Sequence, residues 1–129
     1  MFDHLVLPVS DVAASAAFYR TVLAPLGFEQ TADGEWTEFG ALSLGQRDSP
    51  EPLHLAFIAE SRAAVDAFHR AGVRARYRDN GPPGLRSYAP DYYAAYLLDP
   101  DGHNVEAVYR SPGTRATWTW LGVGLVSGA

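Results

Sequence analysis

The feature that most constrains this chain is that it states one plan twice. DHLVLPVSD is echoed by LHLAFIAES, His4 and His54 stand 50 positions apart, and Phe18 and Phe68 keep the same offset. The first copy reads as a strand over 2–9, then a helix from Val12 to Leu23 that Ser10 or Asp11 can cap and that Pro25 and Gly27 close. Val12, Ala16, Tyr19 and Leu23 recur at helical steps. GFEQTA, EWTEFG and ALSLGQR follow as three short strands, and DSPEP marks a linker. The second copy runs through a strand over 53–59 and a helix from Arg62 to Ala71 ended by Gly72. The strands VRARYRD, YYAAYLLD and NVEAVYR complete it. A repeat of this length implies two strand–helix–strand–strand–strand units. The expectation is one α+β domain over 1–110, built of two βαβββ modules in tandem, 1–47 and 53–110, with a C-terminal tail over 111–129. DNGPPGLRSYAP, rich in Pro and Gly, reads as a loop of the kind that rims sites. TWTWLGVGLV in the tail alternates and could pair with a sheet edge or a partner chain.

Composition removes several chemistries. With 129 residues, 47% apolar, the chain can bury an ordinary core. It has no cysteine, so disulfides, thiolate ligands and a cysteine nucleophile are excluded. All ten basic residues are arginine, which excludes a lysine Schiff base. A net charge of -5 without a basic stripe argues against nucleic acid and against an anionic membrane. MFDHLVLPV lacks a basic leader and a long apolar run, and a cytoplasmic protein is expected.

Strand alternation brings three residues toward one wall. In 2–9, His4 shares a face with Phe2 and Val6; in 53–59, His54 shares one with Ala56. The aliphatic rows on the opposite faces suit packing against the helices, so both histidines point to the other side. DPDG carries Pro and Gly where a type I turn with a bulge wants them. Pairing Leu98 with His103 across it sets Glu106 opposite Ala95, with Tyr93 and Leu97 on its face and Tyr96 on the helix side; a one-residue slip would exchange Tyr93 for Tyr96. Two imidazoles and a carboxylate are a set that binds Zn, Fe, Mn or Ni and leaves positions open. His4, His54 and Glu106 are therefore the expected metal ligands. A metal would also remove the cost of burying a lone carboxylate. His69 and His103 read as solvated, and the acidic DPD run as turn chemistry rather than a calcium loop.

These segments resemble the vicinal oxygen chelate superfamily, which includes glyoxalase I, bleomycin and fosfomycin resistance proteins and extradiol dioxygenases. The resemblance rests on DHLVLPVSDVAASAAFY with His4, LHLAFIA with His54, and YYAAYLLDPDGHNVEAV with Glu106, over most of 2–109. It implies a glyoxalase-like fold, with the paired modules forming an open curved sheet around a divalent metal. It implies a metal-dependent lyase, isomerase or dioxygenase acting on a small substrate through adjacent oxygens, and a homodimer. The fourth ligand of glyoxalase I falls on Leu44 here, which cannot ligate, leaving three ligands. Glu106 and Tyr93 are the candidate catalytic residues; Arg86, Trp36 and Tyr92 are candidate substrate contacts, Arg86 for an anion. The alternative is a metal-free drug-sequestering protein of the bleomycin-resistance type, with Trp36, Phe39, Tyr92 or Trp118 as aromatic walls.

Overall fold

The computed structural model describes residues 1–112 and, of the remainder, the backbone of 118–120 and 125–127. The first module holds β1 (Leu5–Val9), α1 (Val12–Leu23), β2 (Ala32–Asp33), β3 (Thr37–Phe39) and β4 (Leu42–Gln46). The second holds β5 (His54–Ile58), α2 (Arg62–Arg74), β6 (Arg78–Arg86), β7 (Tyr92–Leu98) and β8 (Asn104–Tyr109). Each module forms a four-stranded mixed sheet, in the orders β1-β4-β3-β2 and β5-β8-β7-β6. In both, the first strand runs parallel to the last, as a helical crossover requires. The fold is α+β, two sheets with the helices between them. In the tail, β9 (Trp118–Trp120) and β10 (Leu125–Ser127) pair with each other antiparallel. The side chain of Trp118, read above as an aromatic wall, lies outside the described residues.

Local chemistry explains the boundaries. Asp11, rather than Ser10, caps α1 by accepting from the Ala14 amide, and Gly27 in the left-handed region closes the following 3-10 turn, Ala24–Leu26. Ser61 caps α2 through the Ala64 amide. That helix does not stop at Gly72 but continues to Arg74, and Arg76 takes the left-handed position beyond it. Gly72 serves packing instead: a Cβ there would stand 2.4 Å from Leu97 Cδ1. The expected loop at 79–90 is also corrected, since Arg78–Arg86 is a strand. Its prolines are tolerated because β6 is an edge strand, bulged between Asp79 and Gly81 and again before Gly84.

The two sheets share one core. Leu7, Val9, Leu42 and Leu44 from the first sheet and Ala95, Leu97, Val105 and Ala107 from the second meet Phe18, Tyr19, Val65 and Phe68 of the helices. Each sheet lays one face on this core and turns the other away from it. Polar contacts lock the modules together at the turn between β7 and β8. Asp99, fully buried, accepts from the Tyr19 hydroxyl at 2.7 Å and from the amides of Asp101 and His103. Asp101 accepts from the amide and hydroxyl of Ser10. His103 is not a solvated turn residue but has 0% exposure. Its Nδ1 accepts from the Leu53 amide at 2.9 Å and its Nε2 donates to the Pro8 carbonyl at 2.8 Å. His69 is likewise not solvated; it meets Asp79 at 2.9 Å with a side chain 13% exposed.

Candidate functional site

The outer face of the second sheet carries the site. Turn geometry decides which side chains reach it. Gly102, at φ 82, donates to the Asp99 carbonyl, and Asp99 itself pairs with His103. The turn therefore begins at Asp99, the next pair is Leu98 with Asn104, and Glu106 lies opposite Tyr96. The register inferred from sequence was off by one residue. Tyr93 consequently faces the helices: its hydroxyl donates to Asp66 of α2 at 2.6 Å, and the Arg62 guanidinium lies 5.0 Å over its ring. The geometry that suggested a catalytic Tyr93 is absent, and Tyr96 takes its place beside Glu106.

Glu106 is 1% exposed, in an apolar strand, yet both its oxygens are occupied. His54 Nε2 lies 2.7 Å from Oε1, and the Tyr92 hydroxyl donates a short hydrogen bond to Oε2. Burial, then the bond to Glu106, push the Tyr92 phenol well above the usual tyrosine range, so it stays a donor. Burial, with Glu106 next in weight, does the same to Tyr96, whose ring meets the His54 ring at 6.3 Å. Arg86 reaches this wall from β6; its guanidinium carbon lies 5.3 Å over the Tyr96 ring.

His4 does not join this group. It sits just before β1 on the outer side of the first sheet, 2.8 Å from Asp3, with its side chain 62% exposed. It lines a cavity of about 410 Å³ with Trp36, Glu38 and Ser43. His54 instead borders an apolar cleft of about 670 Å³ with Phe2, Leu5, Phe28, Phe57 and Ile58. So the structure brings His54, Glu106, Tyr92 and Arg86 together and places His4 and Trp36 in a separate group. The module equivalence also moves. Glu106 pairs with Ala56 and Ser43 with Val6, so Ser43 rather than Leu44 holds the position of Glu106 in the first module. Glu38, its cross-strand neighbour, adds a carboxylate to that face. Sequence reasoning passed over Glu38 because its signal, the alternation of TEF, needs the β3–β4 register to be read.

One further set has ligand atoms within 4.8 Å of one another, Asp99, Asp101 and His103. It has the composition and spacing to hold a metal ion. Its atoms also accept from Tyr19, Ser10, Leu53 and the turn amides, and these bonds clasp the two modules together.

The family model for the Glyoxalase/Bleomycin resistance protein/Dioxygenase superfamily matches residues 1–107. A glyoxalase/bleomycin resistance protein from Albidiferax ferrireducens T118 is 31% identical; the match covers 85% of this chain and 98% of that one, with a TM-score of 0.70. A genomically encoded fosfomycin resistance protein from Listeria monocytogenes shares the fold at 19% identity, with a TM-score of 0.67 over 87% of this chain and 94% of that one. Lactoylglutathione lyase from Agrobacterium tumefaciens does so at 21%, with a TM-score of 0.64 over 84% and 92%. No curated protein sequence matches the chain.

Proposed function

Because the chain belongs to the glyoxalase/bleomycin resistance protein/dioxygenase superfamily, we propose that it is a metal-dependent enzyme acting on a small substrate with adjacent oxygens. The observation that carries this reading is the convergence of His54 Nε2 and Glu106 Oε1 at 2.7 Å on one outward wall. An imidazole and a buried carboxylate so placed fit two neighbouring positions of a divalent ion such as Zn, Fe, Mn or Ni. The third ligand is His4 of a second copy. Within one chain His4 stands on a different sheet, and among the described residues β1 and β5, beside the two histidines, each stand at the edge of a sheet, where a second chain can approach. The protein is then a homodimer with composite sites.

When bound, such an ion acts as a Lewis acid toward substrate oxygens. The chain's own residues do the rest. Tyr92 holds Glu106 in one rotamer through its hydroxyl, leaving the other carboxylate oxygen toward His54. Glu106, once ligating, can exchange a proton with a neighbouring substrate carbon or oxygen. The aromatic floor of Tyr92 and Tyr96 excludes water from that exchange.

The experiment is metal analysis of purified protein, as wild type and as Glu106→Ala, His54→Ala and His4→Ala. A near-stoichiometric metal lost in each variant supports the reading. Mixing His4→Ala with Glu106→Ala chains tests the composite site, since a mixed dimer regains one intact ligand set whereas sites within one chain regain none. A wild type that neither retains nor takes up metal defeats it. The second reading, metal-free sequestration of an apolar compound, is favoured by the cleft of about 670 Å³ beside His54, a volume suited to a small ligand. In that case an apolar dye binds equally well after Glu106→Ala.

A further inference from the structure

Two polar groups on the Glu106 wall lack the partners that burial and charge demand. The Tyr96 hydroxyl is buried without a hydrogen-bond partner among the described residues, and the residue is 8% exposed. Arg86 has no carboxylate partner among the described residues. Its hydrogen bonds run to the carbonyls of Pro82, at 2.6 Å, and Leu85, at 3.4 Å. These occupy part of a fork that has five N–H donors. Glu106, the carboxylate of that wall, is already committed to His54 and Tyr92.

The position of Arg86 is built. A Cβ on Gly84 would lie 2.9 Å from its Nη1, and one on Gly81 would lie 2.8 Å from Tyr96 Cδ2 and 3.5 Å from Arg86 Nη2. Two residues without side chains thus form the floor on which the guanidinium and the ring lie. The same Tyr96 ring touches the His54 ring on the metal side and carries the guanidinium carbon at 5.3 Å. Tyr88, 65% exposed, stands edge-on to Tyr92 at 5.3 Å and extends the aromatic surface.

We infer that Arg86, carried on the Tyr96 ring, forms a carboxylate-binding subsite beside the His54–Glu106 pair, and that the substrate is a small planar acid whose adjacent oxygens meet the metal. The guanidinium presents paired N–H donors, so it calls for an acceptor with two oxygens. The aromatic surface calls for a flat body. This inference rests on the metal reading for the adjacent oxygens, while the acid subsite stands independently of it.

Three probes separate the two, with binding measured by calorimetry on the full chain. Benzoate has the acid and the ring, catechol the adjacent oxygens, and 3,4-dihydroxybenzoate both. Benzoate should bind metal-free wild type weakly and lose about 10-fold or more in affinity in Arg86→Met, as expected for a charge-assisted hydrogen bond. Arg86→Lys should recover part of this loss, and Gly84→Ala, which displaces the guanidinium and keeps its charge, should weaken benzoate as well. With metal added, 3,4-dihydroxybenzoate should bind more tightly than catechol in wild type, and the advantage should vanish in Arg86→Met. Benzoate that binds neither protein, or both equally, overturns the subsite whatever the metal does. Catechol that ignores added metal, while benzoate still depends on Arg86, overturns the metal reading and leaves the subsite standing.

Discussion

His103→Ala should destabilise the protein by about 3 kcal/mol without touching the outward wall. Each of the two hydrogen bonds it removes, to the Leu53 amide and the Pro8 carbonyl, contributes about 1 kcal/mol net. The void left by a side chain of 0% exposure adds about 1–2 kcal/mol. Leu53 is 38% exposed, so water can re-satisfy its amide and hold the total near the lower end. In a chain of this size that corresponds to a midpoint about 8–12 °C lower. Urea unfolding followed by tryptophan fluorescence gives the free energy, and calorimetry the midpoint. Metal content should stay at the wild-type level, because the clasp is structural. A loss below about 1 kcal/mol would refute the claim that this imidazole ties the modules together. Loss of metal with stability retained would show that Asp99, Asp101 and His103 are the metal site.

Three other perturbations probe the same framework. Tyr19→Phe leaves one oxygen of buried Asp99 without its donor and should cost about 1.5–3 kcal/mol in urea unfolding, since the lost bond is to a carboxylate. In Gly72→Ala a helix-propensity gain of about 1 kcal/mol opposes overpacking against Leu97, 0% exposed, which costs about 1–3 kcal/mol. Net destabilisation is expected, and a higher melting temperature would show that Leu97 has room to move. The Asp91 carboxylate is held below its usual range by the Ser111 hydroxyl and then by Arg62. Its folded value being depressed, its stabilisation is present above about pH 4 and is lost as pH falls through the folded value. The melting difference between wild type and Asp91→Asn should therefore shrink on acidification from neutral pH to pH values near 3, and a constant difference would contradict this.

The sequence by itself determined the doubled module, the span of α1, the inward rows of both first strands and the outward facing of His54 and Glu106. These are local or periodic signals: a cap, a 3.6-residue stripe, an alternation. It left undetermined whatever depends on where two distant segments meet. A one-residue difference in hairpin register exchanges every side chain between faces. Only the paired strands therefore showed that Tyr96, not Tyr93, shares the wall with Glu106, and that Ser43, not Leu44, is its counterpart. The prolines of β6 read as a loop because an edge strand that tolerates them is defined by its neighbour. His103 looked like a turn residue because both its partners, Pro8 and Leu53, come from far along the chain. The separation of His4 from His54 and Glu106 was decided last of all. It follows from both sheets spending one face on a shared core, so that the outward faces of the two modules look away from it.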